Sequence, residues 1–108
     1  MIEYAKSITI DKHITNTTEI KAWLASGTPA LDIYFICLDN ESAHLAEILH
    51  TPEILKPPYA GRSFLVIGMA DGRGRAKQLF SDIVQKYLKT GSALADFKKY
   101  YCDEGAEA

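Results

Sequence analysis

Cysteine is scarce in this chain, with two residues among 108. Cys37 lies within an apolar run and Cys102 lies near the C-terminus, so the pair lacks the close spacing of a zinc site or a redox motif. We expect two free thiols, because burial of Cys37 and a reducing compartment both oppose a disulfide between them. The cysteines therefore point neither to a disulfide-stabilised secreted domain nor to a metal centre.

Long apolar runs are also missing from the sequence. The two longest, over residues 33–38 and 64–70, are far shorter than the ~20 residues that are needed to cross a bilayer. The first residues lack the basic stretch followed by an apolar segment that marks a signal peptide. We therefore expect a soluble, cytoplasmic protein with no membrane partner.

The chain has no excess of positive charge, since 12 Lys and Arg residues face 14 Asp and Glu residues. A protein with this balance of charges lacks the positive electrostatic field of nucleic-acid-binding proteins, so we expect no nucleic-acid partner. Hydrophobic residues make up 47% of the chain and charged residues 24%, which is typical of a folded globular protein. The length predicts a single α/β domain over residues 1–102, followed by a disordered acidic tail over 103–108.

The apolar pattern predicts strands that alternate with helices. Alternating apolar residues over 2–10 predict an edge strand, whereas continuous apolar runs over 31–38 and 63–69 predict two central strands. Helical spacing predicts a helix after Asn16, helices over 41–50 and 73–89, and a short helix after Ser92. We expect a small three-stranded sheet, mostly parallel or mixed, in a layered α/β sandwich. Parallel pairing of the two apolar strands is favoured, although their long connection also permits an antiparallel return.

A glycine-bearing turn between the second apolar run and the long helix is the candidate ligand site. Free amides at a helix start, together with nearby cationic side chains, favour a phosphate or another small anion. If the apolar strands are parallel, Asp39 and Asn40 lie at the same edge, and Asp39 and Asp71 could jointly hold magnesium. The candidate ligand-binding residues are Asp71, Gly72, Arg73, Gly74, Arg75, Asp39 and Asn40. The alternative is a structural turn, since the glycine spacing matches neither the dinucleotide fingerprint nor the phosphate loop.

Catalytic and metal-binding residues have little support in the sequence. Cys37 could act as a nucleophile beside His44, but an apolar strand favours a buried, inert thiol. His44 and His50 are six residues apart, a spacing that does not place two ligands on one helical face, and His13 lies in a connection. We therefore assign no catalytic residue, no metal site and no cofactor.

Aromatic residues of the last third of the chain form a candidate interaction surface with Lys98 and Lys99. The aromatic residues are Phe80, Tyr87, Phe97, Tyr100 and Tyr101, of which we expect only Tyr100 or Tyr101 to be exposed. We expect a small bacterial accessory or regulatory protein without enzymatic activity, which acts as a protein-interaction module, as a homodimer or with a protein partner. Its working surface would be an edge strand or the carboxyl edge of the sheet. The alternative function is phosphate or nucleotide binding at the turn over 71–77.

Overall fold

The computed structural model describes residues 2–27, 32–39 and 44–105. This part of the chain forms a four-stranded sheet with helices on both faces. The elements, in chain order, are β1 (Ile2–Ile10), α1 (Thr17–Ala25), β2 (Ile33–Leu38), β3 (Glu47–His50), α2 (Thr51–Ile54), β4 (Phe64–Asp71), α3 (Arg73–Leu88), a 3₁₀ turn (Leu94–Asp96) and α4 (Phe97–Glu104). The predicted layered α/β sandwich is confirmed, but its sheet has four strands where three were predicted.

The sheet has the strand order β1-β4-β2-β3. The two apolar strands β2 and β4 lie at its centre and β1 lies at an edge, as the sequence predicts. β1 runs parallel to β4, whereas β2 runs antiparallel to both β4 and β3. The sheet is therefore mixed, and its two central strands are antiparallel, opposite to the direction that we favoured.

The fourth strand, β3, replaces the second half of the helix predicted over 41–50, whose residues 41–43 lie outside the described part. Ile48 packs with the cluster on one face of the sheet and Leu49 with the cluster on the other, which is the alternation of a strand. Over so few residues the apolar spacing fits a helix equally well. β3 runs antiparallel to β2, and the crossover to β4 through α2 starts from β3. β4 therefore runs in the same direction as β3 and antiparallel to β2.

Successive side chains of β2 enter two hydrophobic cores. Phe35 and Cys37 pack on the face covered by α1 and α2, whereas Ile36 and Leu38 pack on the face covered by α3 and α4. All four side chains are at most 3% exposed. The apolar run without polar alternation therefore reflects a strand that is covered on both faces.

α3 confirms the helix predicted over 73–89 almost to the residue. It follows Gly72, whose φ of 93° favours glycine, and it buries Ala76, Ile83 and Tyr87 against the sheet. Gly68 of β4 lies under this helix, where an added Cβ would come within 3.2 Å of the Ile83 side chain. Glycine at this position permits the close approach of α3.

α4 ends later than expected, because Asp103 and Glu104 belong to the helix although the sequence placed them in a disordered tail. Glu104 accepts hydrogen bonds from the backbone N–H of Ser7 at 2.8 Å and from its hydroxyl at 2.6 Å. These bonds hold the end of α4 beside β1. Gly105 ends the helix, and residues 106–108 of the expected tail lie outside the described residues.

Candidate functional site

The glycine-bearing turn connects β4 to α3 as the sequence predicts, and local contacts explain its shape. The N–H of Gly72 donates to the carbonyl of Asp32 at 2.7 Å, and the N–H of Ala76 donates to the carbonyl of Gly72 at 3.0 Å. Arg75 reaches back to the carbonyl of Asp71 at 3.5 Å. Arg73 and Gly74 are exposed in the first turn of α3. The turn thus has a structural explanation that involves no ligand.

Asp11 lies at this same edge, and the sequence analysis missed it. Its carboxylate accepts the N–H of Asp71 and the N–H of His13, each at 3.2 Å. Desolvation acts to raise the pKa of Asp11, but these two bonds and the charges of His13 and Arg75 outweigh it, so the pKa is lowered. A carboxylate of the chain therefore already accepts one amide of the turn, and its charge disfavours a phosphate there. Asp11 follows a strand parallel to β4, so the rule that selected Asp39 could have found it.

Asp39 and Asp71 lie at opposite ends of the sheet, so they cannot jointly hold the magnesium ion that parallel apolar strands would have allowed. Because β2 and β4 are antiparallel, Asp71 pairs with Ile33 at the start of β2, whereas Asp39 follows the end of β2. Asn40 lies outside the described residues. Within the described ranges, no group of three or more His, Cys, Asp and Glu residues is arranged to hold a metal ion.

Cys37 is fully buried in the core beneath α1 and α2. Burial raises the pKa of its thiol strongly, and the nearby Glu47 carboxylate raises it further. A thiol with so high a pKa stays protonated and is a poor nucleophile at neutral pH. Cys102 is exposed, and neither cysteine forms a disulfide, as expected.

Asp39 instead belongs to a cleft of about 640 Å³ at the other end of the sheet. The start of β4 and the loop before it, the end of β2, the start of β1 and the end of α4 surround this Arg62 cleft. Its lining residues are Glu3, Leu38, Asp39, Gly61, Arg62, Ser63, Phe64, Leu65, Cys102 and Gly105. Asp39 is the only one of them that the sequence analysis selected.

Arg62 is held in this cleft from several sides. Its guanidinium donates to the carboxylate of Asp39, which is 5% exposed. The same guanidinium lies 5.7 Å from the ring centre of Tyr59 and 5.5 Å from that of Phe64. Lys98 donates to the backbone carbonyl of Asp39 at 3.0 Å. Two cations therefore meet at Asp39, one on its carboxylate and one on its carbonyl oxygen.

A second depression, of about 200 Å³, lies between the edge strand β1 and helices α3 and α4. This tyrosine groove is lined by Ser7, Thr9, Asp82, Ile83, Lys86, Tyr87, Thr90, Tyr100 and Tyr101. The ring of Tyr100 meets those of Tyr87 and Tyr101 edge to face, at centroid distances of 5.4 and 5.1 Å. The groove thus joins two of the surfaces that the sequence analysis proposed, an edge strand and the C-terminal aromatic set.

Exposure differs sharply between the two neighbouring tyrosines of α4. Tyr100 is 45% exposed, whereas Tyr101 is 7% exposed and packs against Phe97. Burial, and then the charges of Tyr100 and Glu104, raise the pKa of Tyr101. Tyr87 is buried and donates from its hydroxyl to the carbonyl of Ala93 at 2.7 Å. Tyr100 is therefore the member of the set that is available to a partner.

No protein-family model matches the chain, and no curated protein or solved structure is detectably similar to it. Within the described ranges, no helix combines the length and the apolar character that a bilayer crossing requires. The functional conclusion therefore depends on the geometry of the chain itself.

Proposed function

We propose that this chain is a non-enzymatic interaction module that self-associates through the tyrosine groove. The observation that carries the proposal is the exposure of Tyr100 at the junction of β1, α3 and α4. Tyrosine is enriched at protein interfaces because it combines a large contact area with a polar tip and costs little conformational entropy on binding. Tyr100 offers both features beside an edge strand.

Exposed apolar side chains are concentrated in the C-terminal part of the described chain, which also carries Tyr100. Four large apolar side chains of the described residues are exposed, and three of them, Leu88, Leu94 and Tyr100, lie between residues 88 and 100. The fourth, Trp23, belongs to α1 on the other face of the sheet. Such a concentration favours an interface on the α3 and α4 side.

Charge at the groove suits a second copy of the same chain. Asp82 and Lys86 both line it, one helical turn apart on α3. A twofold axis brings a surface against itself, so each acidic group can meet the basic group of the partner copy. A standard interface covers about 800 Å² per partner, or roughly one eighth of the 6364 Å² surface of this chain.

Sedimentation velocity over a range of protein concentrations tests this proposal. Wild-type protein should show a monomer–dimer equilibrium, and Tyr100→Asp should weaken it at least about tenfold, because a carboxylate would be buried in the interface. Trp23→Asp is the matched control, since Trp23 is 38% exposed and lies far from the groove. It should leave the equilibrium unchanged. A wild-type chain that stays monomeric up to millimolar concentration contradicts self-association, and equal weakening by both substitutions contradicts the role of the groove.

A further inference from the structure

We infer that the Arg62 cleft binds a small organic molecule through a carboxylate or phosphate group of that molecule. This inference is independent of the proposed self-association, because the cleft and the tyrosine groove share no lining residue. It also differs from the phosphate site predicted over 71–77, which lies at the opposite end of β4.

The size and lining of the cleft suit a small ligand. A volume of about 640 Å³ lies within the range of roughly 300–1,000 Å³ that is usual for small-molecule sites. Leu38 and Leu65 give it apolar walls, whereas Arg62 and Ser63 supply polar side chains at the loop before β4. A few polar groups converging in a partly apolar cleft are typical of a site that orients one end of a molecule.

Arg62 is the group that would recognise the oxyanion. A guanidinium has five N–H donors in a planar fork, and a single carboxylate accepts hydrogen bonds from only some of them. The fork also matches the geometry of a second carboxylate or of a phosphate. The Asp39 carboxylate and the rings of Tyr59 and Phe64 already hold it in place. Binding therefore costs less side-chain entropy than it would at a freely moving arginine.

The charges around Asp39 determine which anion the cleft prefers. Asp39 is almost completely buried; its carboxylate accepts a hydrogen bond from Arg62, and its backbone carbonyl accepts one from Lys98. Among the lining residues, Glu3 and Asp39 are acidic and Arg62 is basic, so recognition of an oxyanion depends on direct contact with Arg62 and not on the overall charge of the cleft. Glu3 is exposed at the mouth of the cleft and carries a negative charge. We therefore expect singly charged carboxylates to bind more tightly than phosphate monoesters.

Thermal unfolding against a panel of organic carboxylates and phosphate monoesters tests the inference. A ligand present at a hundred times its dissociation constant should raise the Tm of the wild-type chain by several degrees. Arg62→Gln should abolish this rise, and Arg75→Gln, at the other end of the sheet, is the matched control that should keep it. A panel without any shift overturns the inference, as does a shift that is lost in Arg75→Gln but kept in Arg62→Gln.

A second variant covers the case in which Arg62→Gln does not fold, because it leaves the buried Asp39 carboxylate without its cation. The double variant with Arg62→Gln and Asp39→Asn removes both charges together. It should fold and should show no ligand-dependent rise in Tm. A rise equal to that of the wild-type chain in the folded double variant overturns the role of Arg62.

Thiol labelling of the wild-type chain gives a further readout that needs no substitution. Cys102 lines the cleft and is exposed, whereas Cys37 is fully buried, so a thiol reagent should modify Cys102 first. A panel ligand at ten times its dissociation constant leaves about one eleventh of the sites empty, so labelling should slow roughly tenfold. Unchanged labelling in the presence of a ligand that raises the Tm would place that ligand elsewhere and overturn the inference.

Discussion

Replacing Gly68 with alanine adds a methyl group where α3 packs closely on the sheet. The new Cβ would lie 2.9 Å from Cδ1 of Ile36, 3.2 Å from Cδ1 of Ile83 and 3.3 Å from Cδ2 of Leu79. The first contact is shorter than real Cβ atoms show, and all three neighbours come from the core on one face of the sheet. The substitution should therefore overpack that core.

The expected cost follows from two opposing effects. Overpacking a well-filled core costs about 1–3 kcal/mol, and the lower entropy of the unfolded alanine chain offsets about 0.4–1 kcal/mol of it. The three atoms that the new Cβ meets are the ends of flexible side chains and can shift, so the cost lies in the lower part of this range. A net loss of about 0.5–1.5 kcal/mol should lower the Tm by roughly 2–7 °C, for an unfolding entropy near 2.1 cal/mol/K per residue.

Thermal unfolding followed by circular dichroism measures this loss for Gly68→Ala. Gly74→Ala is the matched control, because an added Cβ meets nothing within 4 Å there and the position lies in the first turn of α3. It should keep or slightly raise the Tm. Ile36→Val removes the methyl that would be 2.9 Å away, so combined with Gly68→Ala it should cost less than the sum of the two single changes. An unchanged Tm for Gly68→Ala would refute the close packing of α3 on β4.

Two further predictions concern ionisable groups. The pKa of Asp11 is lower in the folded chain than in the unfolded chain, so its contribution to stability is present above the unfolded pKa, near 4, and is lost as the pH falls through the folded pKa. Asp11→Asn should therefore reduce the loss of stability as the pH falls below about 4, which urea unfolding at several pH values would show. An unchanged acid dependence would contradict the two bonds to its carboxylate. Cys37 should react with a thiol reagent only when the chain unfolds, whereas Cys102 reacts in the folded chain. Mass spectrometry of the labelled peptides would show this order, and equal rates at neutral pH would contradict the burial of Cys37.

Strand positions were predictable where the apolar pattern was long. β2 and β4 are continuous apolar runs covered on both faces, and α3 repeats apolar residues at helical spacing over 16 residues. β3 has four residues, too few for the spacing to separate a strand from a helix. Without β3, parallel central strands were favoured over the antiparallel return that was also open, because a single extra strand reverses the direction of the next.

The candidate sites were only partly predictable from the sequence for the same reason. Asp39 was selected from its place after an apolar strand, but it was grouped with Asp71, and strand direction separates the two. Arg62, the partner that Asp39 contacts, lies 23 residues further along the chain with no motif around it. Only the tertiary fold brings Arg62 and Asp39 together, so no pattern of neighbouring residues in the sequence predicts the cleft.

A dilution series followed by ¹H–¹⁵N NMR correlation spectra tests self-association through the tyrosine groove most directly. On dilution of the wild-type chain, the amide signals of Ser7, Thr9 and Tyr100 should shift together. The signals of Ser7 and Thr9 should approach their positions in the Tyr100→Asp monomer. Signals of α1 on the opposite face should stay in place. Spectra that do not change with concentration, or shifts confined to α1, would contradict the account.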